Sequence, residues 1–301
     1  MFPIIPANSV TADKGNQEGI FGFGAPSGTV TAITNLVSNT GVVASDTAAV
    51  AGAFARQLLA GTEYGGDKGI FGYGTTATFQ SMSNLVSNTG VVASDTAGVG
   101  TARGYLGACR YGLTGTAIFG FGHTGEYTGV TNLVNSSGVI GLDVAAVGTA
   151  RYAVTACEYG DDKGIFAFGK DGVVVAYTNL VSNTGVVASD TAAVAGVTAR
   201  QLPGACGYDY DKGIIAYGYV GPNVSTSNKV SNTGVVASDT AGVGTARNAC
   251  PATQFGGDQG IFGFGSGPVG MSNLVTNAGV IGLDVAAVGT ARDAPGACSF
   301  N

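Results

Sequence analysis

A short run of alternating bulky and small residues, of the type Ile-Phe-Gly-Phe-Gly, returns six times along the chain. It begins at Ile20, Ile70, Ile118, Ile165, Ile214 and Ile261, at intervals of 50, 48, 47, 49 and 47 residues. Alternation with a period of two is typical of a β-strand. Self-similarity at a spacing of about 40 to 50 residues is typical of blade-like repeats. The pattern therefore predicts six similar units, each built around one copy of this strand.

The fourth copy shows the elements of one unit. Strand a covers Arg151–Tyr159, strand b covers Ile165–Phe168, strand c covers Val173–Val181, and strand d opens at Val186–Asp190. Turns rich in Gly, Asn and Asp separate them, which favours an antiparallel meander. We therefore predict an all-β fold, a six-bladed β-propeller of four-stranded antiparallel blades.

Strand b also predicts how neighbouring blades pack. Phe21 and Phe23 are expected on one face and Gly22 on the other, because side chains alternate along a strand. Rings of one blade would then press against the glycine-lined face of the next. In the fourth and fifth copies Ala167 and Ala216 replace the glycine and keep that face small.

The two ends of the chain predict how the array closes. Strand a precedes the second to sixth copies of strand b, but residues before the first copy fit it poorly, whereas residues 289–300 resemble a strand a with no strand b after it. We predict that this C-terminal strand completes the first blade, which removes open sheet edges. Residues 18–301 would then form the propeller and residues 1–17 an N-terminal arm that covers the ring or docks on a partner.

Composition agrees with an all-β protein and excludes several classes of partner. Charged residues make up 11% of the 301, glycine numbers 52, tryptophan is absent and the net charge is −6. Without a basic run, neither nucleic acid nor an anionic membrane surface is an expected partner. The sequence has no unbroken apolar run of about 18 residues, so no membrane span is predicted. The start, Met1–Pro6, does not resemble a secretory signal, so synthesis in a reducing cytoplasm is expected.

The order of these motifs resembles that of kelch-type β-propellers. The segment Thr149–Arg151, the glycine-terminated strand b and the polar turn between c and d recur in kelch order, with Phe-Gly-Phe-Gly where kelch repeats carry a double glycine. The repeated Asn-Leu-Val-Ser-Asn-Thr-Gly-Val-Val-Ala-Ser-Asp-Thr is also similar to propeller arrays of bacteriophage and environmental viral proteins. The first resemblance implies a protein-interaction adaptor, and the second implies a virion component.

One aspartate and one arginine recur in every copy. The aspartates are Asp46, Asp95, Asp143, Asp190, Asp239 and Asp284, and the arginines that follow them are Arg56, Arg103, Arg151, Arg200, Arg247 and Arg292. Strict repetition favours structural Asp–Arg pairs that tie strand d to the next strand a. A ring of arginines that holds an anion is the alternative. A metal ring of aspartates is a weaker one, because the spacing of a calcium loop is missing.

Two other motifs have a structural interpretation as their first choice. Six copies of Gly-x-Gly with no helix after them favour strand packing over a dinucleotide loop, so no cofactor is predicted. Five cysteines, an odd number, do not indicate a disulfide framework. Cys109, Cys157, Cys206 and Cys298 lie six residues after an arginine, where Thr62 and Thr253 stand in the other copies. We expect buried free thiols and no thiolate metal site.

Candidate binding residues lie in the loops between strands b and c, which differ in every copy. These loops share one face of a propeller with the d–a connections, and recognition is expected on loops held by a rigid scaffold. Drift in unconstrained loops would give the same variation. The candidates are His123, Glu126, Tyr127, Lys170, Asp171, Tyr219 and Asn223. His123, the only histidine, invites acid–base chemistry, but no nucleophile accompanies it in the sequence and no catalytic residue is predicted.

The sequence thus favours a non-enzymatic structural or adhesive protein. As a virion component made in the host cytoplasm (a decoration, fibre or tail protein), it would bind virion subunits or host-surface glycans, as a monomer or a homo-oligomer. A cytoplasmic kelch-like adaptor for other proteins is the first alternative. A propeller enzyme or a metal-binding protein is the second.

Overall fold

The structure, a computed structural model, describes residues 16–301. Over these residues the protein is all-β, with six three-stranded antiparallel sheets and a single 3-10 turn at Pro26–Gly28. The strands are β1 (Glu18–Gly22), β2 (Thr34–Val37), β3 (Ala60–Tyr64), β4 (Lys68–Gly72), β5 (Ser83–Val86), β6 (Gly107–Tyr111), β7 (Thr116–His123), β8 (Tyr127–Val134), β9 (Thr155–Tyr159), β10 (Lys163–Ala167), β11 (Thr178–Val181), β12 (Gly204–Tyr208), β13 (Lys212–Ala216), β14 (Ser227–Val230), β15 (Ala252–Phe255), β16 (Gln259–Gly263), β17 (Ser272–Val275) and β18 (Gly296–Phe300). This arrangement is compatible with a propeller-like repeat fold.

Each sheet follows the predicted order of strands a, b and c, and the first sheet is completed from the far end of the chain. Its order is β18–β1–β2, with Glu18 opposite Phe300 and Gly22 opposite Gly296. The innermost strands of successive sheets contact one another in a closed cycle, β3, β6, β9, β12, β15, β18 and back to β3. The predicted pairing of the C-terminal tail with the first strand b is therefore present.

The predicted fourth strand is not a continuous strand in the structure. After the Ser-Asn-Thr-Gly turn the chain returns along β2 and makes two isolated bridges, Val37 to Val43 and Thr34 to Thr47. Between these bridges, the side-chain amide of Asn35 donates to the carbonyl of Ala44, at 2.9 Å. The side chain thus bonds a backbone group that regular ladder pairing would otherwise use.

The interface between sheets pairs rings with small residues, as the sequence predicts. A Cβ added to Gly120 would lie 2.6 Å from Cζ of Phe166 in the next sheet, so only glycine fits opposite a phenylalanine there. In the fourth sheet Ala167 packs in one cluster with Ile215 of the next sheet. In the fifth sheet Ala216 packs in one cluster with Phe262 of the next sheet, so an alanine on the small face is accommodated against either side chain.

The predicted common face of Phe21 and Phe23 is wrong. Phe21 makes an edge-to-face contact with Phe264 of the preceding sheet, at 5.3 Å between centroids, whereas Phe23 makes one with Phe71 of the following sheet, also at 5.3 Å. The cause is the backbone of Phe23, whose φ of 66° ends the strand and turns the ring to the opposite side. All six copies have a positive φ at this position.

Most of the predicted N-terminal arm, residues 1–17, lies outside the described residues. Its last two members contact the sheets. The N–H of Gln17 donates to the carbonyl of Asn301, and the N–H groups of Gly256 and Gly257 donate to the carbonyls of Gln17 and Asn16. These two residues therefore belong to the body of the fold.

Candidate functional site

The six repeated arginines lie in the interior, each wedged between two sheets. Arg151 has no exposed surface, and its guanidinium donates to the carbonyls of Phe168 and Thr149 and, at 2.6 Å, to Oδ1 of Asn179. The same group stacks 4.2 Å from the centroid of Phe121 in the preceding sheet. Burial lowers the pKa of Arg151 to about 10, an effect that Asp190 opposes. A side chain so enclosed and bonded offers no surface to an anion from solution, which favours the structural interpretation.

The aspartates pair with arginines of their own sheet, not with those that follow them. Arg151 lies 3.6 Å from Asp190, and Arg292 of β18's sheet lies 4.0 Å from Asp46. Asp190 also accepts hydrogen bonds from Asn179 and from the hydroxyl of Thr149. Burial raises the pKa of Asp190, but these hydrogen bonds and the charge of Arg151 outweigh it and hold the pKa below its usual value.

The network includes an asparagine that the sequence analysis did not single out. Asn179 and its five counterparts are fully buried in strand c, where each side-chain amide bonds the aspartate of its sheet; they are Asn35, Asn84, Asn132, Asn179, Asn228 and Asn273. The signal was present, because an asparagine precedes the Leu-Val or Lys-Val pair of strand c in every copy. In five of the six sheets this buried amide bonds both an aspartate and an arginine, a combination that needs a side chain with both an acceptor and a donor.

All five cysteines are free and buried, as the sequence predicts. Four of them face a glycine of the next sheet; for example, a Cβ on Gly164 would lie 2.5 Å from Sγ of Cys109. Thr253 occupies the same position against Gly19. Burial raises the pKa of Cys109 above its ordinary value, so the thiol stays protonated. In the structure these side chains fill the space between neighbouring sheets.

A projecting hairpin distinguishes the third sheet. Its strands β7 and β8 have eight residues each, where the corresponding strands elsewhere have four or five. The extension places His123 directly opposite Tyr127 beyond a bulge at Phe121. The adjacent d–a connection is bonded to this hairpin, because Gly104 forms a bridge with His123. Regular pairing makes this a rigid platform on the loop face, the face that carries the b–c loops and the d–a connections.

Five rings meet on this platform and form what we call the aromatic cluster: Phe79, Tyr105, His123, Tyr127 and Tyr152. The rings of Tyr127 and Tyr152 are stacked, with centroids 5.1 Å apart and planes inclined by 16°. The centroid of His123 lies 5.3 Å from that of Tyr152 and 5.5 Å from that of Phe79. Its Nδ1 accepts the N–H of Gly125, so the neutral ring carries its proton on Nε2.

The structure brings some of the predicted binding residues together and separates the others. Lys170 pairs with Tyr152 through two backbone hydrogen bonds, and so lies beside the aromatic cluster, as does exposed Glu126 in the hairpin turn. Asp171 follows Lys170 and is half-buried. Tyr219 and Asn223 belong instead to the fifth repeat, where Asn223 accepts a hydrogen bond from Asn248.

Three members of the aromatic cluster escaped the sequence analysis. Phe79 comes from the b–c loop of the second repeat, whereas Tyr105 and Tyr152 come from the d–a connections before the third and fourth sheets. The usable signal was an aromatic residue one or two positions after the repeated arginine, where other copies have Gln-Leu, Asn-Ala or Asp-Ala.

The innermost strands enclose a channel that carries a second polar group. Near the end away from the loop face, one residue from each strand forms what we call the polar ring: Glu63, Arg110, Glu158, Gly207, Gln254 and Ser299. Nε of Arg110 lies 2.7 Å from Oε1 of Glu63, and the hydroxyl of Ser299 donates to Glu63 at 2.8 Å. Gln254 donates to Glu158. Burial raises the pKa of Glu158, an effect that the charge of Arg110 opposes.

Comparison with protein-family models and with curated proteins finds no match for this chain. The kelch and viral resemblances thus gain no support from it. Within residues 16–301 no helix has the length and apolar character needed to cross a membrane. Nor do three His, Cys, Asp or Glu side chains of that part of the chain come close enough together to share a metal ion.

Proposed function

We propose that the protein is a six-bladed, non-enzymatic β-propeller that binds glycans through the aromatic cluster on its loop face. The observation that carries this proposal is the grouping of five rings from three repeats on one sector of that face. Aromatic rings with polar tips bind ligands that are apolar on one side and hydrogen-bonding on the other. A pyranose has this character, because its C–H groups stack on a ring while its hydroxyl groups bond neighbouring polar atoms.

The surroundings of the aromatic cluster suit such a ligand. Tyr127 is 39% exposed, and its stacking on Tyr152 fixes the orientation of the ring that a sugar would meet. Glu126 and Lys170 border the rings and supply an acceptor and a donor for hydroxyl groups. His123 is surrounded by aromatic rings, which favours a contact role over acid–base chemistry.

The test is a glycan array probed with the full-length chain, followed by titration with the oligosaccharide that binds. We expect Tyr127→Ala and Tyr152→Ala each to weaken binding about tenfold or more, as central aromatic contacts do. Tyr219→Ala is the matched control, because Tyr219 is 37% exposed in the b–c loop of another repeat. The proposal fails if no glycan binds, or if Tyr127→Ala and Tyr219→Ala have the same affinity.

We extend the proposal as follows: the protein is an adhesive component of a virus particle and binds glycans of the host surface. Sedimentation of particles from the native source is the measurement. Recovery of the protein with the particles supports the extension, and recovery only in the soluble cellular fraction rejects it while leaving glycan binding to the array experiment.

A further inference from the structure

The channel contains two cavities, one above the other. The upper cavity, on the side of the loop face, has a volume of about 110 Å³, and the lower cavity has about 50 Å³. Both are lined by the same small-residue ring, which is Gly61, Ala108, Ala156, Ala205, Ala252 and Ala297. This ring lies between the two cavities, and its side chains are no larger than a methyl group.

The walls of the two cavities differ in chemistry. Above the small-residue ring most of the lining side chains are apolar, and they include Leu59, Leu106, Val154, Pro203, Pro251 and Pro295, although polar atoms form about half of the exposed wall. Below the small-residue ring the lower cavity is lined by five members of the polar ring, Glu63, Glu158, Gly207, Gln254 and Ser299. An apolar compartment that ends on a few convergent polar groups is the usual form of a small-molecule site.

The polar ring is the place where the inner strands of the six repeats differ most. Each member is preceded by Cys or Thr and followed by Tyr or Phe. The members themselves are Glu, Arg, Glu, Gly, Gln and Ser. They fit one another as a set. A Cβ on Gly207 would lie 2.1 Å from both Glu158 Oε1 and Gln254 Nε2, so the glycine leaves room for the bond between these two side chains.

The polar ring holds more acidic side chains than basic ones. It contains two carboxylates, Glu63 and Glu158, and one guanidinium, Arg110. Glu63 is bonded to Arg110, to Ser299 and to the side-chain amide of Asn16. The carboxylate of Glu158 accepts from the neutral amide of Gln254. A charge held in a low-dielectric interior favours a counter-ion far more strongly than one in water does.

The two acidic side chains of the polar ring line the lower cavity. The side chains of Arg110 and Glu63 keep 23% and 13% of their exposed area, and Glu158 is half-buried. The polar ring lies two residues beyond the small-residue ring along each strand, which is a rise of about 7 Å. An alkyl chain of about six carbons attached to a group at Glu158 would span that rise and reach the apolar walls.

We propose that the channel is a binding site for an unbranched primary alkylammonium ion, with the ammonium group at Glu158 and the alkyl chain between the apolar walls of the upper cavity. Three ammonium N–H donors match the carboxylate of Glu158 and the amide oxygen of Gln254. The chain replaces water along Leu59, Leu106 and Val154, which is favourable for apolar surface. This site is separate from the aromatic cluster, and each is tested without the other.

The test is a calorimetric titration of the full-length protein with n-hexylammonium chloride. A parallel titration uses n-hexanol, an uncharged ligand of the same length. We expect the unaltered protein to bind the amine with a millimolar dissociation constant. Glu158→Gln should bind it at least about tenfold more weakly, because the buried ammonium group then has no carboxylate partner. Glu126→Gln, which removes a carboxylate from the loop face, is the matched control and keeps the affinity of the unaltered protein. Thermal melting establishes that both variants are folded.

A second measurement places the alkyl chain. Nuclear Overhauser effects from the terminal methyl group of n-hexylammonium should reach methyl groups of Leu59, Leu106 or Val154. The proposal is overturned if the folded protein binds no amine at about 20 mM, well above a millimolar dissociation constant. Equal affinity for the amine and the alcohol, equal affinity of Glu158→Gln and the unaltered protein, or Overhauser effects only to residues outside the channel would also overturn it.

Discussion

The first sheet lacks one hydrogen bond of the arginine–asparagine network, and this difference allows the bond to be measured. Asn179 and Asn35 are both fully buried, and each amide donates at 2.9 Å to a backbone carbonyl and at 2.9 Å to an aspartate. Oδ1 of Asn179 also accepts from Arg151 at 2.6 Å. In the sheet built from both chain ends, Oδ1 of Asn35 and Nη2 of Arg292 have no hydrogen-bond partner among residues 16–301.

Replacing each asparagine by alanine should therefore cost different amounts of stability. The donor bonds lost are the same, but Asn179→Ala also removes a bond to a charged group and leaves a buried guanidinium N–H unpaired. A hydrogen bond to a charged group contributes about 1.5–3 kcal/mol. We expect Asn179→Ala to lower the free energy of unfolding by about that much more than Asn35→Ala does. At about 2 °C per kcal/mol for a chain of this size, the melting temperatures should differ by roughly 3–6 °C.

The assay is thermal and urea unfolding followed by far-ultraviolet circular dichroism, with a double-mutant cycle on each pair. The coupling energy between Arg151→Met and Asn179→Ala should be at least about 1.5 kcal/mol, and the coupling between Arg292→Met and Asn35→Ala should be near zero. Equal destabilisation by the two alanine variants, or equal coupling in the two cycles, would refute the reasoning from the missing bond.

Two further predictions concern the sheet interface and the aspartates. Gly120→Ala should lower the free energy of unfolding by about 1–3 kcal/mol, because the added methyl group crowds Phe166. Phe166→Ile should restore part of that loss, because Ala167 and Ile215 form this combination in the next interface. A double variant less stable than Gly120→Ala would contradict this. Folding lowers the pKa of Asp190, so its stabilisation is complete above about pH 3.9 and is lost as the pH falls through the folded pKa. Melting temperature between about pH 5 and pH 2 should accordingly fall less steeply for Asp190→Asn than for the unaltered protein, and identical slopes would count against the prediction.

The sheets and their order follow from the sequence because one physical pattern specifies them six times. Period-two alternation around the glycine of strand b gives a strand with one bulky and one small face, and the leftover C-terminal strand a has a single free partner in β1. The contact of Cys109 with Gly164, the residue before Ile165, again pairs a larger side chain with a glycine of the next sheet. Each of these features depends on residue size and spacing, which a sequence displays directly.

Features that depend on backbone conformation or on long-range pairing were not predictable in the same way. Alternation places Phe23 beside Phe21, but a positive φ at Phe23 sends the two rings to opposite neighbours. Proximity in sequence pairs Asp46 with Arg56, whereas the fold pairs it with Arg292 at the other end of the chain. The sequence shows that the phenylalanine rings and the Asp and Arg side chains recur in every repeat. It does not show which residue each of them contacts.

The aromatic cluster was half predicted, for a related reason. His123 and Tyr127 come from one variable loop, so inspection of that loop finds them. Tyr105 and Tyr152 come from d–a connections, and only the bonding of each connection to a b–c loop, as between Gly104 and His123, brings them to the same surface. A site assembled from several repeats is distributed over the chain and cannot be read from any one of them.

Divergence between copies has a different meaning on the loop face and in the channel. A solvent-facing loop such as that of Tyr219 accepts many residues at little cost, so variation there does not by itself indicate selection. Inside the channel an unmatched charge is costly, yet Glu63 meets Arg110, Glu158 meets Gln254, and the one glycine lies where a side chain would prevent that second contact. Each of these contacts depends on two positions at once, so the members of the polar ring fit together as one set. The proposed alkylammonium ligand would place a cation beside Glu158, the carboxylate of this set whose partner is a neutral amide.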